Sequence, residues 1–189
     1  MITPIFYFTN NDAGNLAYYR EICSAVDLPV IIYNVIAQNP ISPELMERLS
    51  EIQGMYGIKQ SVGGLHSLAR MLLRCADKTK VFGAQDDLAY LSFAMGAVGS
   101  ISAIHSVFPR ESVQIWDYVK AGSIEKARLL QDKLLAVMQV MEKYPFPSGV
   151  SAAITAQGRD CGVPRRPIMP VGDDGISEFR RLMERLELI

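Results

Sequence analysis

Two hydrophobic patterns alternate along the first hundred residues: short, nearly unbroken apolar runs, and longer stretches in which apolar residues return every third or fourth position. The short runs fall at 3–8, 29–34, 55–59, 80–84 and 97–103 and read as five β-strands. The first begins almost at Met1 and is expected to be a core strand. Val30-Ile31-Ile32-Tyr33 has the continuous apolar character of a parallel strand buried on both faces. Between the runs lie helical periods. Residues 15–26 place Leu16, Tyr19, Ile22, Cys23 and Val26 on one face, and 65–75 place Leu65, Leu68, Ala69, Leu72 and Leu73 inward. Ser42-Pro43-Glu44 opens a further helix, whose buried face is Leu45, Met46, Leu49 and Ile52; a fourth is expected over 87–95. Strand and helix alternating with short connections predict a parallel sheet with right-handed crossovers. From Pro109 only helical patterns remain, over 111–120, 123–143, 148–161 and 173–188, interrupted by the proline-rich stretch 163–171.

Composition narrows the picture. A chain of 189 residues that is 49% hydrophobic can bury a sizeable core. Nineteen basic and twenty acidic residues leave a net charge of -1 with no long run of either sign, so neither nucleic acid nor an anionic membrane is an expected partner. Three widely spaced cysteines, Cys23, Cys75 and Cys161, suit buried thiols in a reducing compartment better than a disulfide framework. No apolar run approaches the ~18 residues of a membrane span, and no basic signal region opens the chain. A cytoplasmic location is the expectation.

The candidate chemistry centres on Lys59, which ends the apolar run Met55-Tyr56-Gly57-Ile58 just before the Ser61-Val62-Gly63-Gly64 turn. The C-terminal ends of parallel strands are where ligands bind. A lysine among apolar neighbours there can serve as an amine nucleophile and form a Schiff base with a carbonyl substrate, or it can simply extend off a strand end. Tyr33 ends the preceding strand, where a phenol could relay protons for imine formation or act as a core aromatic. Asp86 and Asp87 suit either a substrate's hydroxyls or the cap of the following helix. Ser100, Ser102 and Ser106 near His105 lack a Gly-x-Ser-x-Gly elbow, and no Cys, His and carboxylate cluster has metal-ligand spacing. Gly63-Gly64 lacks the rest of a nucleotide-binding fingerprint. No cofactor is expected.

Taken in order, Thr3-Pro4, Tyr33-Asn34, Gly57-Ile58-Lys59, Gly83-Ala84-Gln85-Asp86-Asp87 and Gly99-Ser100-Ile101-Ser102 resemble the dihydrodipicolinate synthase and N-acetylneuraminate lyase family over essentially the whole chain. The resemblance implies class I aldolases and lyases on a (β/α)8 TIM barrel, commonly tetramers. It also implies Lys59 as the Schiff-base lysine for pyruvate or another 2-oxo acid, and Tyr33 as the proton relay. A complete barrel has eight strands, so the chain corresponds to a partial barrel over 1–108, about five of eight units, and a helical region over 109–189. The resemblance implies that the first three strands are missing, and no counterpart of the family's Gly-Thr-Thr-Gly motif is present. An open barrel exposes strand edges that need cover. Asp86, Asp87 and Ser102 are the implied substrate contacts. Gln38 stands where the synthases carry an arginine for the second substrate's carboxylate, and a neutral amide cannot replace that bidentate contact. The family's aromatic that reaches into a neighbouring subunit falls on Phe6 or Tyr7. The expected function is thus a Schiff-base lyase or aldolase acting on pyruvate or a 2-oxo sugar acid, in an N-terminally truncated chain that forms a homo-oligomer or requires its missing half. The alternatives are a non-catalytic fragment awaiting a partner chain, a sugar-acid binding protein, or a 4-hydroxy-tetrahydrodipicolinate synthase-like activity.

Overall fold

A computed structural model describes residues 1–189. The elements are α1 (Asp12–Ala25), β1 (Val30–Asn34), α2 (Pro43–Leu49), β2 (Met55–Gln60), α3 (Gly64–Cys75), β3 (Lys80–Phe82), α4 (Ala89–Ala94), α5 (Ile104–Val107), α6 (Pro109–Lys120), α7 (Ile124–Met141), α8 (Ser148–Ala156) and α9 (Asp173–Arg185). They fall into two compact units. The first comprises Met1–Gln85 and Leu91–Ile101; the second comprises Asp86–Tyr90 and Ser102–Ile189. The sequence pattern places one boundary between 108 and 109, whereas the chain crosses between units more than once.

In the first unit the sheet runs β1-β2-β3, all parallel. Gly57 lies against β3, where a Cβ would meet the Lys80 carbonyl oxygen at 2.3 Å, so only glycine allows the two strands to close at that position. Ile32, Ile58 and Val81 are fully buried and form one core with Tyr19 of α1, Leu45, Met46 and Leu49 of α2, and Leu68, Met71 and Cys75 of α3. Ser42 caps α2 by accepting the Leu45 N–H, and Pro43 fills the first turn, as the sequence predicts.

Three expectations for this unit need correction. Residues 3–8 are not a core strand: only Ile2 pairs with Ile32, and Phe6, Tyr7 and Phe8 are 63%, 77% and 68% exposed. Pro4 has no N–H to give a ladder, and the Ile5 and Phe6 carbonyls accept from the side chains of Asn39 and Gln38 instead of from a strand. Residues 97–103 pair with the sheet only at Gly83↔Ser100, through Val98 N–H to Val81 O, Gly83 N–H to Gly99 O and Ile101 N–H to Gly83 O. The sheet thus has three strands with a single parallel bridge at each flank, not five strands. Finally, α3 buries Leu68, Met71, Leu72 and Cys75, and Leu73 is 90% exposed. Positions i, i+3, i+4 and i+7 from Leu68 define that face, and Leu73 falls a further 100° around the helix.

The second unit is helical. Helices α6 and α7, α7 and α8, and α8 and α9 pack in sequence, with α5 against α6 and α8. Its core is built from Ile104, Val107, Ile115, Leu134, Val137, Phe179 and Met183. Helix α8 carries Ala152, Ala153 and Ala156 inward, and a Cβ on Gly149 would meet the Met141 carbonyl at 2.3 Å, so small residues set how closely α8 approaches the end of α7. Gly158, at φ 77, follows its end, short of the expected 161. Among all helices, none is long and apolar enough to cross a membrane.

The expectation of three buried thiols holds for two. Cys23 and Cys75 are buried, and Cys161 is exposed. Burial pushes the Cys75 thiol up to about 11, with the Glu47 carboxylate adding to the rise, and burial also raises Cys23. Native protein treated with a thiol-specific disulfide reagent at neutral pH is therefore expected to label rapidly at Cys161 alone. Peptide mapping checks this, and Cys23 and Cys75 should react only on unfolding.

Candidate active site

The end of β2 carries the lysine singled out by the sequence. Lys59 is 7% exposed, although its residue type rarely is so buried, and it stands opposite Tyr33 in the parallel register of β1 and β2. Its Nζ lies 3.7 Å from the centroid of the Tyr33 ring, so the amine rests on the aromatic face. The structure thus brings together the two residues predicted to share the imine chemistry.

A buried network of amides holds this pair. Asn34, 1% exposed, donates from Nδ2 to the Ile41 carbonyl and to Gln60 Oε1, each at 2.9 Å, and its Oδ1 accepts the Ile41 N–H at 2.8 Å. Gln60 Nε2 donates to Val62 O at 2.7 Å, and the Asn34 carbonyl accepts the Ser61 and Val62 N–H groups. Gln85, beyond β3, donates from Nε2 to Ser61 O at 2.9 Å. The segment just after Lys59 is therefore tied from both neighbouring strands. Every polar atom of the Asn34 carboxamide is engaged, which is the condition for buried polar groups to rigidify rather than destabilise. Sequence reading gives Asn34 only as the residue closing a strand; the signal for more was an amide directly after Tyr33 and another, Gln60, directly after Lys59.

Gln38, the implied substrate contact, donates from Nε2 to the Phe6 carbonyl at 2.6 Å. Asn39 is buried, donates to Ile5 O at 3.0 Å and exchanges amide contacts with Asn15. These side chains fasten the segment bearing Phe6, Tyr7 and Phe8, whose rings stand edge to face in pairs.

Lys59, Tyr33, Gln38, Phe6 and Tyr7 belong to the first unit; Asp86, Asp87 and Ser102 belong to the second. There Asp86 Oδ1 accepts the Ile104 N–H at 2.6 Å, and the Asp86 carbonyl accepts from Gln131 Nε2 at 3.1 Å. Asp86 thus engages the start of α5 through its side chain; the helix next in sequence is α4. Asp87 is half-buried, and the Ser102 hydroxyl is sealed from solvent without a protein partner. Sequence reading assigns His105 no role. It lies on α5, with Nδ1 2.8 Å from Ser112 Oγ, and burial holds its imidazole below the ordinary histidine value while the Asp86 carboxylate opposes the shift. No group of three or more His, Cys, Asp or Glu side chains is placed to hold a metal ion.

A buried lysine thus rests on a tyrosine ring at the C-terminal ends of adjacent parallel strands in a β/α unit. The family follows from comparison: the profile of the dihydrodipicolinate synthetase family matches residues 1–186, and the chain belongs to that family. It is 30% identical to a 4-hydroxy-tetrahydrodipicolinate synthase from Geobacter sp. (strain M21), over all of this chain and 66% of the relative. Among solved structures, a dihydrodipicolinate synthase from Bacillus anthracis superposes with a TM-score of 0.86 at 26% identity, over 97% of this chain and 64% of that one. A synthase from Acinetobacter baumannii, complexed with pyruvate, shares the fold with a TM-score of 0.87 at 23% identity, over 100% of this chain and 66% of that one. The chain spans 64–66% of the length of these proteins.

Asn34→Leu is expected to destabilise the first unit by about 3 kcal/mol, because the Ile41 N–H, the Ile41 carbonyl and Gln60 Oε1 all lose their partner in a buried place; a urea titration followed by fluorescence checks it. His105 sets a second expectation. Its folded pKa lies below its unfolded one, so the unfolded chain takes up the proton first. Its stabilisation is complete above the ordinary value of 6.5 and is lost as pH falls below it. The thermal midpoint should fall between about pH 7 and about pH 5, and His105→Gln should flatten that dependence.

Proposed function

We propose that this chain carries the imine-forming part of a class I aldolase or lyase acting on pyruvate or a 2-oxo sugar acid. The observation that carries the reading is the contact of Lys59 Nζ with the Tyr33 ring at the ligand-binding end of the parallel sheet. In the proposed reaction the Lys59 amine attacks the 2-oxo carbon, forming a carbon-nitrogen bond, and the carbonyl oxygen becomes a hydroxyl. Tyr33 supplies a proton to that hydroxyl, which leaves as water, and the resulting protonated imine draws electrons from the carbon-carbon bond one carbon beyond it, as the hydroxyl on the far carbon of that bond returns a proton to Tyr33 and becomes an aldehyde. In cleavage that bond breaks to an enamine, which takes a proton at carbon; in the synthetic direction the enamine attacks an aldehyde. Lysine and tyrosine suffice for these steps, and the reading requires no cofactor. Asp86, Asp87 and Ser102 are proposed to meet the substrate's polar groups.

The curated relatives carry the name 4-hydroxy-tetrahydrodipicolinate synthase, which supports synthase-like activity as a second reading. Gln38 weighs against it here, since its amide is neutral and already donates to the Phe6 carbonyl. As for partners, the three exposed aromatic rings 6–8 and the single-bridge flanks of the sheet favour association with another chain, either a second copy, with Phe6 or Tyr7 at the interface, or a polypeptide that completes the barrel.

Borohydride reduction in the presence of pyruvate and a panel of 2-oxo acids, read by intact mass and peptide mapping, tests the reading. An adduct on Lys59 is expected; Lys59→Ala should abolish it, and Tyr33→Phe should slow its formation by about 10²-fold. Adduct formation that persists in Lys59→Ala would overturn the assignment.

A further inference from the structure

Helix α3 carries a second apolar row on its outer side. Ala69, Leu73 and Ala76 recur at i, i+4 and i+7, all of them exposed, and Leu73 is 90% exposed where a solvated helix face ordinarily carries polar side chains. Beside that row the chain returns at the end of α4. Ala69, Leu72, Leu73, Ala76, Met95 and Gly96 line one open recess of about 380 Å³. A Cβ at Gly96 would meet no atom within 4 Å, so that side of the recess is free. All six residues belong to the first unit. The face is thus a leucine standing beside a hollow lined by alanine and glycine, a protrusion next to its own receptacle.

The charges around Leu73 are ordered as well. Arg70 precedes it and Asp77 follows it; both are exposed, and neither enters an ion pair within the chain, whereas Arg74 and Lys78 are committed to Glu44 and Glu47 of α2. We propose that this face binds a second copy of the chain, α3 against α3, antiparallel about a two-fold axis at Leu73. Arg70 lies about 4.5 Å before Leu73 along the helix and Asp77 about 6 Å beyond it, and both lie about 50° to the same side. An antiparallel two-fold therefore sets Arg70 of each copy opposite Asp77 of the other, within about 1.5 Å along the axis. On the other flank it sets Ala69 opposite Ala76, where methyl groups alone separate the helices, and each Leu73 lies over the recess of the other copy. A parallel pairing would leave Arg70 and Asp77 of opposite copies about 10 Å apart along the axis. The charge order thus selects a second copy in one orientation, and the contact is isologous and closes on itself. Leu73 supplies burial, and the ion pairs supply direction. The face is separate from Phe6 and Tyr7, and the pairing rests on no part of the Schiff-base reading.

Sedimentation of the full chain from about 1 to about 100 µM tests the pairing. The wild type is expected to associate as concentration rises. Leu73→Asp changes a side chain that has almost no burial within the chain to lose, and should raise the dissociation constant about 10²-fold while the far-UV circular dichroism stays that of the wild type. Arg70→Asp and Asp77→Arg should each weaken association about tenfold, and the two changes together should restore it to within about threefold of the wild type, a rescue that a purely local effect on α3 does not give. In Tyr7→Ala the step that depends on Leu73 should persist. A chain that stays monomeric across the range overturns the pairing and leaves the face to a different polypeptide. Association that Leu73→Asp leaves unchanged, or a double swap no better than either single change, overturns it too.

Discussion

Everything proposed for this chain depends on the register between β1 and β2. Tyr33 faces Lys59 because Ile32 faces Ile58 and Asn34 faces Gln60. A slip of one residue would turn each of these side chains to the opposite face, removing Ile32 and Ile58 from the core along with the amine from its ring. Two different interactions enforce the register. Burial of the aliphatic pair fixes which face points inward, and the Asn34 carboxamide, anchored to both backbone groups of Ile41 in the segment after β1, ties β1 to β2 through its bond to Gln60. Apolar burial is the larger and less directional of the two; the amide network supplies direction.

That division of labour explains how a lysine can be held in so sealed a place. An ammonium group taken out of water needs compensation, and here the nearest is an aromatic face and not a carboxylate. The amides around Asn34 add no net charge to the strand ends that carry this pair. Positioning without an opposite charge is the arrangement that the proposed imine chemistry would use.

How legible this was in the sequence differs by element. The lysine, the tyrosine and their adjacency could be read, because a continuous apolar run specifies a parallel buried strand and the strand order followed from alternation with helices. The helix start at Ser42-Pro43 was legible for the same reason: its signal is local. The misread elements depended on what a segment's neighbours supply. Residues 3–8 have strand composition, yet the partners of their carbonyls are the side chains of Gln38 and Asn39, more than thirty residues away. The face of α3 was misjudged at Leu73 because leucine at a near-helical interval is indistinguishable from core until a facing sheet is present. Asp86 was read as a ligand or as a cap of the helix that follows it, but its side chain accepts from the Ile104 N–H at the start of α5 and not from the next helix in the chain.

His105 marks the limit of such reading most clearly. In sequence it is a solitary imidazole among serines, and solitary histidines are most often satisfied in the core. What changes its meaning is one proton on Ser112, committed to the Phe108 carbonyl by the geometry of a helical turn. That commitment propagates through the ring and decides which nitrogen is left as a buried acceptor. Ser112 thereby sets the tautomer of the ring, and Ser112→Ala would free it. The hydrogen-bonding character of the buried Nε2 then lies not in the histidine alone but in the pair, since only with Nδ1 donating does the neutral ring present an acceptor on its other side.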